Sequence, residues 1–164
     1  MKTIEIKLYK YEELDKQTRK KVIENYRYIN VEHSTWYEWI KEDFSRLGLE
    51  IQEFDLGRRN YVKIYIENFE DTSNNIIAEF GDSVAIKQTA KNYLKELEEI
   101  VSNYKEDEDI DREFENLDEK YQHEFKADIL SYLHANYEWE ISDEAIIEEM
   151  ISNDYDFTIE GKIY

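Results

Sequence analysis

Cysteine and proline are absent from this 164-residue chain, and glycine occurs only four times. Without cysteine there is no disulfide framework and no thiolate nucleophile, a composition that fits a reducing cytosol. With no proline, no Gly/Ser-rich linker and no internal repeat, nothing marks a domain boundary. One compact unit over residues 1–164 is therefore expected. No apolar run approaches the roughly 20 residues of a membrane-spanning helix. Residues 1–11 alternate charged with apolar side chains, unlike a secretory leader. Also missing are a Gly-x-Ser-x-Gly elbow and a glycine-rich phosphate loop, which removes the commonest signatures of nucleophilic and phosphoryl chemistry.

What the chain has in excess is acid. It carries 40 Asp and Glu against 21 Lys and Arg, a net charge of −19. The excess is one-sided: residues 1–63 hold 13 basic and 12 acidic side chains, whereas residues 64–164 hold 8 and 28. It peaks at residues 106–119, where nine of fourteen side chains are carboxylates and Arg112 alone opposes them. Such a block repels phosphate backbones and anionic lipid, so the acidic half is not expected to bind nucleic acid or membrane directly. It attracts basic surfaces. A hydrophobic content of 41%, with fourteen Tyr, seven Phe and three Trp, is too high for a disordered acidic chain.

Apolar spacing then gives the elements. Thr3–Tyr11 alternates Ile4, Ile6 and Leu8, as a half-buried strand does. Asp15 is a candidate N-cap for a helix to about Ile29, with Val22, Ile23, Tyr26 and Ile29 inward. Ser34 is a candidate cap for a second helix bearing Trp36, Trp39, Ile40, Phe44 and Leu47, ended by Gly48. Residues 49–55 and 61–66 read as a hairpin around Leu56-Gly57-Arg58-Arg59-Asn60. Residues 71–82 read as loop-like. From Ser83 to Tyr104, a stripe of Ile86, Ala90, Tyr93, Leu94, Leu97, Ile100, Val101 and Tyr104 marks a long helix. Another follows through the acidic block on Ile110, Phe114, Leu117, Tyr121, Phe125, Ile129 and Leu133. Residues 142–152 read as a short helix with acid in its first turn, and residues 157–164 as a final strand or turn. The expected fold is α+β: a small antiparallel sheet of three or four strands packed by four or five helices, in the order β-α-α-β-β-α-α-α-β.

Several chemistries compete for the acidic block. Counting from Asp107 puts acids at calcium-loop positions one, three, five, seven, nine and twelve. However, Arg112 replaces the sharp-turn glycine, Asp118 the bidentate glutamate, and a helical stripe runs through the same residues. His123-Glu124 opens like a zinc-protease helix, but the position of the second histidine is Ala127. His33 and His134 complete the histidines and read as surface or interface groups. Arg58 and Arg59 at the hairpin tip read as solvated turn residues. No two carboxylates stand out as an acid/base pair. No catalytic residue, cofactor or metal is expected.

The remaining reading is mimicry. Carboxylates three or four apart on a helix sit about 5–6 Å from one another, near the spacing of phosphates along a nucleic-acid strand. Glu106, Asp107, Glu108, Asp109, Asp111, Glu115, Asp118 and Glu119 are the candidate partner-binding residues. The competing reading is a solubilising face.

Several segments together resemble a widespread family of small bacteriophage and prophage proteins described as uncharacterised or antitoxin-like. They are the opening residues 4–14 with their Lys/Arg-rich helix, the Trp-rich residues 36–44, Gly48-Leu-Glu-Ile, and the ending Ser142-Asp-Glu-Ala-Ile-Ile-Glu with Asn153-Asp-Tyr-Asp-Phe-Thr-Ile-Glu-Gly-Lys-Ile-Tyr. Residues 54–64 stand where many members carry an aromatic and glycine-rich segment, and the resemblance supplies no catalytic residue. It implies a phage protein in the bacterial cytoplasm that binds and blocks a host protein. With the acidic helix, this points to an inhibitor of a defence nuclease, anti-CRISPR or anti-restriction, seated on a basic nucleic-acid-binding surface. The alternative is an antitoxin-like protein that neutralises a toxin by direct binding.

Overall fold

A computed structural model of the chain describes residues 5–33, 35–104 and 109–164. Among them lie six α-helices and one two-stranded antiparallel sheet: α1 (Lys16–Asn25), α2 (Thr35–Arg46), β1 (Leu49–Asp55), β2 (Tyr61–Ile66), α3 (Phe69–Glu79), α4 (Ala85–Asn103), α5 (Ile110–Glu140) and α6 (Asp143–Ser152). The class is α+β, as composition and periodicity imply. The chain divides into two compact units, residues 37–134 and residues 1–36 with 135–164. Both boundaries fall inside helices, so no linker-like composition accompanies them.

The larger unit is built on the β1–β2 hairpin. Leu49 pairs with Ile66 and Ile51 with Ile64. A register shift between Ile51 and Glu53 follows, and beyond it Phe54 pairs with Val62. Leu49, Ile51, Val62, Ile64 and Ile66 are buried, alternating with exposed partners as a one-sided sheet requires. Asn60, at φ +48°, takes the left-handed turn position that Asn tolerates best after Gly. Gly48 follows α2 at φ +92°, and a Cβ there would meet Thr72 Oγ1 at 2.6 Å. Glycine is therefore required on both counts.

The second helical stripe is narrower than its spacing implies. Ile40 and Phe44 are buried and Trp36 and Leu47 half-buried, but Trp39 is 69% exposed. At about 100° per residue Trp39 lies a quarter-turn from Ile40, and Tyr37 packs edge-on against Phe54 instead. The suggested Ser34 cap lies outside the described residues.

Residues 71–82 are mostly helix, a correction to the loop-like expectation. Asn68 caps α3, its Oδ1 accepting from the Asp71 N–H at 2.9 Å, and Glu70 and Asp71 favour the helix N-terminus. The buried positions are Phe69, Thr72, Ser73 and Ile76. Two of these four are small polar residues, which hides the period from a hydropathy reading. Thr72 Oγ1 donates to the Gly48 carbonyl at 3.2 Å, so its burial is compensated.

The smaller unit has its own core of Tyr11, Leu14, Val22, Ile23, Ile146, Met150 and Phe157. Asp15 caps α1 through the N–H groups of Gln17 and Thr18, and Ser142 caps α6 through that of Ala145. Arg27, just past the end of α1, reaches the start of α6 by donating to the Ile141 carbonyl and Asp143 Oδ1, both at 3.0 Å. The expected three or four strands do not form among the described residues. Near the chain ends the described residues form only isolated bridges, Tyr9 with Phe157 and Phe157 with Ile163, and Thr3 and Ile4 of the expected opening strand lie outside the described residues. Extended pairing has nowhere to run. Lys10 opens a 3-10 turn at Tyr11–Glu13, and residues 158–161 fold back at once, the Gly161 N–H donating to Thr158 O. Ile6 is consequently 52% exposed, not buried on a strand face. The helix order differs too, with α3 added and both outer strands reduced to bridges.

Candidate functional site

Asp109 is the first described residue of the acidic block. Its side chain accepts from the Arg112 N–H at 3.3 Å and its carbonyl from the Glu113 N–H at 3.3 Å, so it stands at the start of α5. Glu106, Asp107 and Glu108 lie outside the described residues. Residues 110–118 are helical and therefore do not adopt a calcium-loop conformation. Among the described residues no three His, Asp or Glu side chains converge as a metal-binding group.

α5 is held down by Leu117, Tyr121, Phe125, Ile129 and Leu133, each buried and each four residues from the next. This is the i, i+4 ridge by which helices interlock with their neighbours. Phe125 packs on Phe69, with ring centroids 6.2 Å apart, and Tyr121 meets Tyr93 edge-on at 5.3 Å. Gln122 reaches β2, donating to the Ile64 carbonyl at 3.0 Å.

Polar groups line the α4–α5 seam beside these rings. Tyr93 OH donates to Asp118 Oδ1 at 2.9 Å, and Tyr121 OH to Glu96 Oε1 at 2.8 Å. Lys120 Nζ also reaches both Glu96 oxygens, at 2.7 and 2.6 Å. Burial pushes both tyrosine hydroxyls far above their usual range, and the carboxylate each one faces adds to the effect. Glu96 is held below the ordinary glutamate range, chiefly by Lys120 and then by the Tyr121 hydroxyl. Farther along α5, desolvation raises Asp128 above the ordinary aspartate value against the opposing pull of a hydrogen bond with Thr89, and its buried Oδ2 has no hydrogen-bond partner among the described residues.

The candidate carboxylates thus separate. Asp118 is half-buried and engaged by Tyr93, so it belongs to the seam and not to an open array. Asp111, Glu115 and Glu119 are exposed and follow one another at four-residue intervals on one helix face. None of the three forms an ion pair among the described residues, whereas Lys120 and Lys95 are taken by Glu96 and Glu99. Asp109 is exposed at the helix start. The histidines form no cluster: His33 and His123 are exposed, and His134 Nε2 lies 2.6 Å from Asn60 Oδ1.

Two grooves flank the α4–α5 seam, and sequence reasoning missed both. One, of about 670 Å³, has a mixed lining that includes Lys95, Glu96, Glu99, Glu113 and Lys120. The other, of about 630 Å³, is floored by Phe69, Leu94, Leu97, Val101 and Phe114, with Glu67, Glu70, Glu98 and Asp118 at its lining. A signal was present in the α4 stripe, which is too wide for one buried face. Ile86, Ala90 and Tyr93 are buried, while Leu94 and Leu97 are half-buried and Val101 is 57% exposed. No helix among the described residues is long and apolar enough to cross a membrane. No protein-family model, curated protein or solved structure matches the chain.

Proposed function

We propose that the protein is an inhibitor that binds a basic, nucleic-acid-gripping surface of a host protein through the exposed acidic face of α5. The observation that carries this reading is the row Asp111, Glu115 and Glu119. These carboxylates sit on successive turns, exposed, with no cation in an ion pair with them among the described residues. Like charges four apart on a helix repel by about 0.2–0.5 kcal/mol per pair. The row therefore costs stability and contributes attraction only when a cationic surface meets it. The ridge from Leu117 to Leu133 holds the helix, so the charges are presented on a fixed spacing. Preorganised charge of this kind steers encounter and sets specificity more than it adds bulk affinity.

Within this reading the target is a bacterial defence nuclease and the protein a phage-encoded anti-CRISPR or anti-restriction inhibitor acting in the cytoplasm. The protein is not an enzyme. Affinity capture from bacterial lysate at low and high salt tests the proposal. The captured nuclease is expected to be lost at high salt, to be competed off by duplex DNA or guide RNA, and to be lost with Asp111→Lys/Glu115→Lys/Glu119→Lys. Capture that ignores salt, nucleic acid and these three substitutions contradicts the reading and favours an antitoxin-like protein that binds its toxin elsewhere.

A further inference from the structure

The apolar groove beside the seam points to a second kind of contact, one that the acidic row does not supply. Leu94, Leu97 and Val101 occupy positions i, i+3 and i+7 of α4, a line about 10 Å long at 1.5 Å per residue. Phe114 of α5 and Phe69 of α3 complete the floor. Two turns of a docked helix match that length, and i, i+3, i+7 is the spacing such a helix presents in return. The charge of the lining decides between occupants. Glu67, Glu70, Glu98 and Asp118 line the groove, and no Lys or Arg among the described residues does. The neighbouring groove, by contrast, carries Lys95 and Lys120. A neutral apolar peptide would leave the exposed Glu67, Glu70 and Glu98 facing a desolvated rim, beside Asp118 that Tyr93 already engages, and an acidic one would be repelled. A cationic amphipathic helix satisfies both floor and rim.

We propose that the groove between α4 and α5 is a docking site for a basic amphipathic helix of a partner protein, its apolar anchors on Leu94, Leu97 and Val101 and its Lys or Arg side chains over the carboxylate rim. The proposal goes beyond the acidic-face reading and stands on the groove's own lining.

The test uses the full chain and a synthetic 18-residue Leu/Lys peptide with its leucines on one helical face. A peptide of the same composition with the leucines scattered serves as control. Titration at physiological salt, followed by methyl NMR, is expected to shift Leu94, Leu97 and Val101 with the amphipathic peptide. The scattered peptide is expected to bind at least tenfold more weakly. Val101→Lys, on an exposed site that should leave folding intact, is expected to weaken the amphipathic peptide at least tenfold. Asp111→Asn/Glu115→Gln/Glu119→Gln, outside the groove, should change its affinity by less than threefold. Equal binding of the two peptides, methyl shifts elsewhere, or indifference to Val101→Lys each overturns the docking site. So does sedimentation showing a homodimer that Val101→Lys dissociates, because the occupant would then be a second copy. Loss of peptide binding in the row variant with no effect of Val101→Lys overturns the groove while leaving the acidic-face reading standing.

Discussion

The carboxylates of the α4–α5 seam and those of the outer row differ in what surrounds them, although α5 carries members of both. Glu96 and Asp118 face buried tyrosine hydroxyls, and Glu96 adds Lys120. Asp111, Glu115 and Glu119 face water. The angle around the helix assigns the role: Asp118 lies one residue from Glu119 but about 100° away. An acidic block is therefore not one object. Part of it joins two helices, through Asp118 and Tyr93, and part is exposed to water.

Breaking the seam should have the largest effect. Phe125 is fully buried and packs on Phe69, and Phe125→Ala should cost about 3–5 kcal/mol from lost burial and the cavity left behind. Chemical denaturation would measure it. A loss below about 1 kcal/mol would mean that α5 is not anchored as described, and the fixed spacing of the row would fall with it.

A second perturbation concerns pH. Burial raises Asp128 above its ordinary value near 3.8, so the folded state favours its protonated form. Its contribution is fully present below that value and is lost as pH rises through the higher folded-state value. Asp128→Asn should therefore raise the melting temperature at pH 7 and leave it nearly unchanged, or lower it, at pH 3. Glu96 has the opposite sign. Its lowered value, set by Lys120 and Tyr121, contributes stability above the ordinary glutamate range that is lost on acidification. Partial exposure of that pair keeps its contribution small.

The smallest effect sharpens the contrast from the other side. Glu115 has a like charge four residues before and after it, so Glu115→Gln should relieve two repulsions of about 0.2–0.5 kcal/mol each. The protein should become slightly more stable at low ionic strength, and the gain should shrink as salt screens the row. Destabilisation would show that Glu115 has a structural partner.

Much of this contrast was legible in the chain and some was not. Both hairpin strands fell where alternation put them, because one face is buried and the other wet. α4 and α5 followed from their apolar periods. α3 was hidden because Thr72 and Ser73 fill core positions that hydropathy assigns to solvent. The opening strand failed for lack of a ladder partner: alternation at Ile6 and Leu8 is local, and pairing is not. Trp39 looked internal by type and is exposed by angle. Asp118 was counted with the outer carboxylates because spacing alone does not reveal that Tyr93 of α4 reaches it. Burial of α5 was readable, but the side from which α4 would cover it was not. The division into two units left no trace in composition, since both boundaries run through helices.

An interface formed by the outer row, as proposed, and one formed by the acid content as a whole respond differently to where charge is removed. The most direct measurement is the affinity of the captured partner for Asp111→Asn/Glu115→Gln/Glu119→Gln, set beside a variant that removes three exposed carboxylates of the smaller unit, Glu144→Gln/Glu148→Gln/Glu160→Gln. Net charge changes equally in the two. If the row is the interface, the row variant loses at least tenfold in affinity with its melting temperature kept, and the other variant loses less than threefold. Equal losses in both would contradict a row interface.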